Sequence, residues 1–173
     1  MNINKLFEDR KYLEEELKFF LAKKHIRKIA KNAELVQSHL KKARHNLEFY
    51  QLNKKQFYQL NKKHQQFNDW LIVTLYYSLY HCALALITNK HYASKNHYAT
   101  ILILIKEYAI SKDEAILLHE LSINKEDAEL YTNLKDDRHD ASYATNIKFS
   151  QEIVGDYEHK VLDFINKTEE LIQ

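Results

Sequence analysis

"LIVTLYYSLYHCALALI", residues 71–87, is apolar on nearly every side of a helix and long enough to be one. It is almost long enough to cross a bilayer, yet it carries Ser78, His81 and three tyrosines, polar groups that a membrane interior penalises. A central helix buried by its neighbours satisfies both facts, so the rest of the chain must supply the cover. The 173 residues contain no proline and a single glycine, Gly155, which leaves almost none of the tight turns that β-hairpins need. The expectation is an all-α fold, an up-and-down bundle of five to six helices. At this length, with 45% hydrophobic and 29% charged residues, one domain over residues 1–173 is expected.

Working outward, residues 33–50 carry Ala33, Val36, Leu40, Ala43, Leu47 and Tyr50 at alternating steps of three and four, the seam of an amphipathic helix. Val154, Tyr157, Val161, Phe164, Thr168 and Leu171 repeat that spacing in a last helix starting after Ser150. These two are expected to pack on either side of the central helix as an antiparallel bundle. Residues 5–24 read as a more exposed helix, making 1–30 an N-terminal accessory segment, with Leu6, Leu13, Leu17, Phe20 and Leu21 inward. The stretch 51–66, "QLNKKQFYQLNKKHQQ", is an imperfect duplication rich in Lys and Gln, expected to be a connector formed as an extended helix end or a loop. After a loop near "NKHYA", a helix capped by Ser94 is expected. A short one follows from the capping box Ser111/Glu114 to Leu121, and another starts near Lys125.

The net charge of +2 conceals a division. Residues 1–65 hold 16 Lys/Arg against 7 Asp/Glu, and residues 66–173 hold 10 against 17. Such a split fits a basic face for phosphates, a front-to-back contact between subunits, or a solvated lysine-rich surface. The lone Cys82 makes no internal disulfide and "MNINKLFEDR" lacks a signal-peptide core, which points to a reducing, cytoplasmic setting and no membrane.

Chemistry concentrates in two places. In "DDRHDASY" (136–143), Arg138 continues the line of Leu130 and Leu134, an inward position for a guanidinium. It fits a partly buried salt bridge, or a phosphate-facing fork with His139 able to exchange a proton, Tyr143 four residues on and Lys135 one turn earlier. In "HYASKNHYAT" (91–100), Lys95 and His97 fall in the first turn of a helix, where an anion is welcome; the alternative is a solvated Lys95 and a packed His97. His81, His91 and His97 have no metal-ligand spacing, so no metal is expected, and no Gly-rich loop implies a cofactor.

Taken together, "WLIVTLYYSLYHCALALI", "YASKNHYATI", "LKDDRHDASY" and the closing amphipathic helix resemble the HEPN domain family, in particular its small free-standing prokaryotic members, over residues 30–172. The resemblance implies a helical bundle that forms a homodimer, its two arginine-bearing helices facing across a cleft. It further implies RNA or nucleotide binding, often as a metal-independent ribonuclease toxin paired with a nucleotidyltransferase antitoxin. The family signature is Arg, a polar residue, then a His after four to six intervening residues. Arg138 and His139 fill the first two positions, but the third falls on Tyr143, Ala144 or Thr145. An ordinary phenol titrates near ~10, so either His139 moves the proton or the cleft binds without cutting. On this resemblance Arg138, His139 and Tyr143 would be catalytic, Lys95, His97 and Lys135 would bind the ligand, and Tyr143 would be a candidate for nucleotidyl transfer. The alternative is a non-catalytic interaction module or scaffold.

Overall fold

The computed structural model describes residues 2–59, 67–136 and 149–172. Among them are seven helices and two three-residue strands: α1 (Ile3–Glu8), α2 (Arg10–Ala22), β1 (Ile26–Lys28), α3 (Ala33–Gln59), α4 (Asn68–Asn89), β2 (Tyr92–Ser94), α5 (His97–Tyr108), α6 (Lys112–Asp136) and α7 (Gln151–Ile172).

The central helix is α4. Leu71, Ile72, Leu75, Leu79, Ala83, Leu86 and Ile87 are fully or almost fully buried, and α3, α5, α6 and α7 all pack against it. By length and composition α4 would cross a membrane, but 72% of its apolar window is buried inside the protein. Its polar groups are satisfied locally: the Ser78 hydroxyl donates to the Ala43 carbonyl at 2.7 Å, and Thr74 donates to Leu71 at 2.9 Å. A hydroxyl that answers a nearby carbonyl costs little to bury, so the polar interruptions in the apolar run are tolerated.

The amphipathic seams are buried along their middles and open at their ends. Val36, Ala43, Leu47 and Tyr50 of α3 are buried, as are Val154, Val161, Phe164 and Thr168 of α7, while Leu40 and Tyr157 are half-buried and Ala33 and Leu171 at the helix ends are exposed. Arg44 grips Glu169 (Nε to Oε1, 2.6 Å) and Lys54 pairs with Glu158, so residue numbers rise on α3 as they fall on α7. Those ties fix the two helices as antiparallel. Likewise Glu114 of α6 takes Lys167 at 2.7 Å while Glu120 lies near Tyr157, making α6 antiparallel to α7. On α4, His81 meets His39 and Ser78 meets Ala43, so it too runs against α3. The helices α3, α4, α6 and α7 thus alternate in direction.

Some local expectations change and others are narrowed. Residues 5–24 are two helices, not one, because Asp9 leaves the helical conformation and caps α2 through Tyr12 N at 3.0 Å; the described residues hold seven helices where five to six were expected. The 51–66 stretch is helical through Gln59, an extension of α3; residues 60–66 lie outside the described residues. Asn96, not Ser94, caps α5, accepting from Ala99 N at 2.9 Å, since Ser94 is engaged in β2 and bonds Asn96 instead. The capping box is present, with Ser111 N to Glu114 at 2.7 Å and Glu114 N to Ser111 Oγ at 3.1 Å, but the helix it opens runs unbroken past Leu121 and Lys125 to Asp136. The fold is all-α as expected, apart from one small ribbon. β1 and β2 pair antiparallel, Ile26 with Ser94, Arg27 with Ala93 and Lys28 with Tyr92. They lie too far apart in sequence to need a hairpin turn.

The single glycine sits where it gains nothing. Gly155 is inside α7, and a Cβ there would meet no atom within 4 Å. Meanwhile α5 ends on Ala109 in the left-handed region (φ 46°, ψ 44°), the position glycine fills at helix C-termini. Gly155→Ala should add about 1 kcal/mol and raise Tm by about 2–4 °C. Ala109→Gly should also stabilise, by up to ~1 kcal/mol, because it removes the Cβ clash of a left-handed residue. Thermal unfolding of the two variants and their combination checks both.

Candidate functional site

The chain between α6 and α7 carries "DDRHDASY", and its far end is anchored at the first turn of α4. Asn68 donates its amide to the Phe149 carbonyl at 2.7 Å, which holds the beginning of α7 beside the beginning of α4. The Phe67 ring stacks on Phe57 at 4.8 Å, bringing the end of α3 to the same place. One helical turn further in, the Lys54–Glu158 pair lies with its ammonium 5.8 Å from the centroids of both Tyr50 and Tyr58. Tyr50 is wholly buried, and burial, reinforced by the Glu158 charge, pushes its phenol far up; it stays protonated. This end of the bundle is therefore aromatic, with one internally neutralised ion pair.

Of the residues expected to act, Arg138, His139 and Tyr143 lie outside the described residues. Lys135 belongs to the last turn of α6. Lys95 is exposed, directly after β2. His97, two residues on, faces inward and lies against the rings of Tyr76 (5.9 Å) and Tyr80 (5.7 Å). Neither of its ring nitrogens meets a partner at hydrogen-bonding geometry. Burial, aided by the charges of His119 and Lys125, pushes its pKa down to about 4, although the nearby Leu118 backbone works the other way. At neutral pH His97 is uncharged and enclosed by aromatic rings. The arrangement is that of the packed histidine beside a solvated lysine, and it does not join the two in one anion site.

A pair that sequence reasoning did not find is His39 and His81. Their Nδ1 atoms are 3.1 Å apart at the surface where α3 meets α4. One ring must donate and the other accept, so the contact exists only while at least one is neutral. Burial lowers both pKa values, that of His81 to about 4 with help from His39 and Lys42. No local signal pointed to this pair, since the partners are 42 residues apart and meet only through the antiparallel packing. The three histidines weighed as metal ligands are separated: His81 meets His39, His97 meets tyrosines, and His91 is exposed with a left-handed backbone (φ 64°). Among the described residues no three ligand side chains gather.

Cys82 is fully buried, and burial, with Glu169 adding to it, pushes its thiol up to about 12, too high for a nucleophile. Between α6 and α7 lies a groove of about 490 Å³. Asp113, Glu114, Glu120 and Asp163 outnumber Lys160 and Lys167 on its walls, a poor match for phosphate. No family model matches the chain, and no curated protein matches it.

The depressed histidines give a signed prediction. The unfolded chain takes up a proton on His97 near 6.5, while the folded protein resists until about 4. Stability is whole above 6.5 and is lost as pH falls toward 4, at roughly 1 kcal/mol per pH unit for this group. His81 adds to the slope in the same sense, less strongly because it is half-exposed. Denaturant melts across that window should show Cm falling steadily in the wild type and less steeply in His97→Phe.

Proposed function

We propose that the chain is a HEPN-type protein, active as a homodimer, that binds RNA or a nucleotide where the two copies of the α6–α7 connection meet. Arg138 neutralises a phosphate there, His139 moves the proton, and Tyr143 and Lys135 line the same cleft. In the cleaving form it is a metal-independent endoribonuclease, a toxin held in check by a nucleotidyltransferase partner in a reducing, cytoplasmic setting.

The observation that carries this reading is the alternating packing of α3, α4, α6 and α7, with the end of the α6–α7 connection tied to α4 by the Asn68–Phe149 bond. The end of α6 and the start of α7, which flank residues 137–148 in sequence, belong to antiparallel helices, and this supports the reading. Support for a second subunit comes from α4 itself. Trp70 and Tyr77, on one face of this otherwise covered helix, are 46% and 37% exposed. The exposed Trp70 ring, with Tyr77 beside it under Lys125, supports a surface for another chain.

A non-catalytic module that engages the nucleotidyltransferase is the second reading. Those same exposed aromatics favour it, as does the phenol of Tyr143 at the position of the signature histidine.

The experiment is RNA cleavage by the full chain in the presence of a chelator. Wild type is expected to cut, with Arg138→Ala and His139→Ala each slower by about 100-fold or more. Equal cutting by all three removes the catalytic assignment. Binding without cutting by the wild type leaves a cleft that only holds RNA, and neither binding nor cutting favours the second reading.

A further inference from the structure

The strand pairing assembles a surface that neither segment forms alone. Lys23, Lys24, His25, Arg27, Lys28 and Lys31 precede or occupy β1 and its exit, and all are exposed. Lys90, His91 and Lys95 flank β2 and are exposed too. The ladder from Ile26–Ser94 to Lys28–Tyr92, extended by the bond from Ile29 N to the His91 carbonyl at 2.8 Å, brings the two sets together. Neither segment, 23–31 or 90–95, contains an acidic residue. Among the described residues none of these seven Lys and Arg side chains forms an ion pair. The carboxylate that approaches from α5, Glu107, is occupied by Lys106 at 3.1 Å and the Tyr92 hydroxyl at 3.2 Å.

Helix ends explain part of this charge. Lys23 and Lys90 are the C-caps of α2 and α4, where a cation answers the macrodipole, and each also lies over a ring, Phe19 at 5.9 Å and Tyr108 at 5.2 Å. Arg27, Lys28, Lys31 and Lys95 have no such role. They set like charges on and around one short two-stranded ribbon with no acidic residue in either segment, and like charges so grouped repel unless an anion neutralises them. The three paired residues alone span about 7–10 Å, before the flanking cations are counted, so the surface is matched to a row of phosphates and not to one.

We infer that the β1–β2 ribbon is a binding surface for the phosphate backbone of a nucleic acid, separate from the α6–α7 connection on which the proposed function rests. Arg27 supplies the two-pronged guanidinium contact, Lys28, Lys31 and Lys95 supply point charges, and the exposed ring of Phe19 offers a base a stacking face at the patch edge. A bilayer is the less suitable anion. Interfacial binding needs a run of apolar side chains projecting among the cations, whereas in the strands Ile26 is 2% exposed and Ile29 and Tyr92 are half-buried, and the exposed Phe19 and Leu21 belong to α2 at the edge.

The test is fluorescence anisotropy of a labelled single-stranded RNA, and of DNA of the same sequence, with the full chain over a salt series. Wild type should bind either strand with an affinity that falls linearly in log–log form. Arg27→Glu with Lys28→Glu should weaken binding at least about tenfold and flatten the slope by about 1.4, or ~0.7 for each phosphate no longer neutralised. Lys41→Glu with Lys112→Glu, exposed cations elsewhere that change net charge equally, should retain most of the affinity. Circular dichroism melts confirm that each pair folds. Equal weakening in the two pairs, unchanged binding by the ribbon pair, or no binding by the wild type would each overturn the inference. So would binding only to phosphatidylserine vesicles or to polyglutamate. Since the ribbon variants leave residues 137–148 intact, unchanged binding by the ribbon pair counts against the ribbon alone, loss of cleavage in Arg138→Ala with binding kept counts for the connection alone, and only absence of binding by the wild type counts against both.

Discussion

A helix that is apolar around its whole circumference has to be enclosed, and that requirement on α4 organises the rest of the molecule. At about 25 cal/mol per Å², each buried Leu or Ile on it contributes about 1.5–3 kcal/mol, and four helices are recruited to supply the cover. Enclosure by helices running in alternate directions then decides the register of everything else. Ala43 must offer its carbonyl to Ser78, and His39 must meet His81, because α3 descends as α4 rises. The ionic ties Arg44–Glu169, Lys54–Glu158 and Glu114–Lys167 lie around this core at its margins. Partly solvated pairs of that kind contribute little each, so they select helix direction and register more than they hold the fold together.

Much of this was legible in the sequence because it follows from local pattern. Residues 71–87 announce α4, the three-four stripes announce α3 and α7, and Ser111 with Glu114 announces the start of α6. The errors arise where two local signals compete. Asp9 read as one more charge on a helical surface, but an aspartate is also a strong N-cap, and here that role splits the first helix. In "SKNH" both Ser94 and Asn96 are eligible caps, and a tertiary fact, the pairing of Ser94 with Ile26, assigns the role to Asn96. Nothing between Leu121 and Lys125 breaks a helix, and α6 continues through it.

The candidate site was legible in a different measure. Residue types at "DDRHDASY" and "SKNH" stood out by chemistry, but chemistry does not fix direction. Lys95 and His97 are neighbours in sequence, yet one ends in solvent and the other among Tyr76 and Tyr80, since the first residue of α5 turns inward while the residue before its cap does not. The basic ribbon escaped notice for the opposite reason. One half, 23–31, was visible only as part of the charge excess in residues 1–65, the other, 90–95, lies in the net-acidic remainder, and strand pairing over more than sixty residues of separation is not encoded in either.

Position along α4 gives these surfaces a common frame. Its 22 residues make a rod of about 33 Å. At its first turn Asn68 receives the chain entering α7, and just beyond its last turn Lys90 and His91 lead into β2 and the cationic ribbon. The groove between α6 and α7 is lined by more carboxylates than lysines, whereas the exposed cations of 23–31 and 90–95 gather on the ribbon beyond the last turn of α4. Acidic and basic surfaces are therefore separated by the packing around one helix, the first lying between two of the helices that cover it and the second where the chain leaves it.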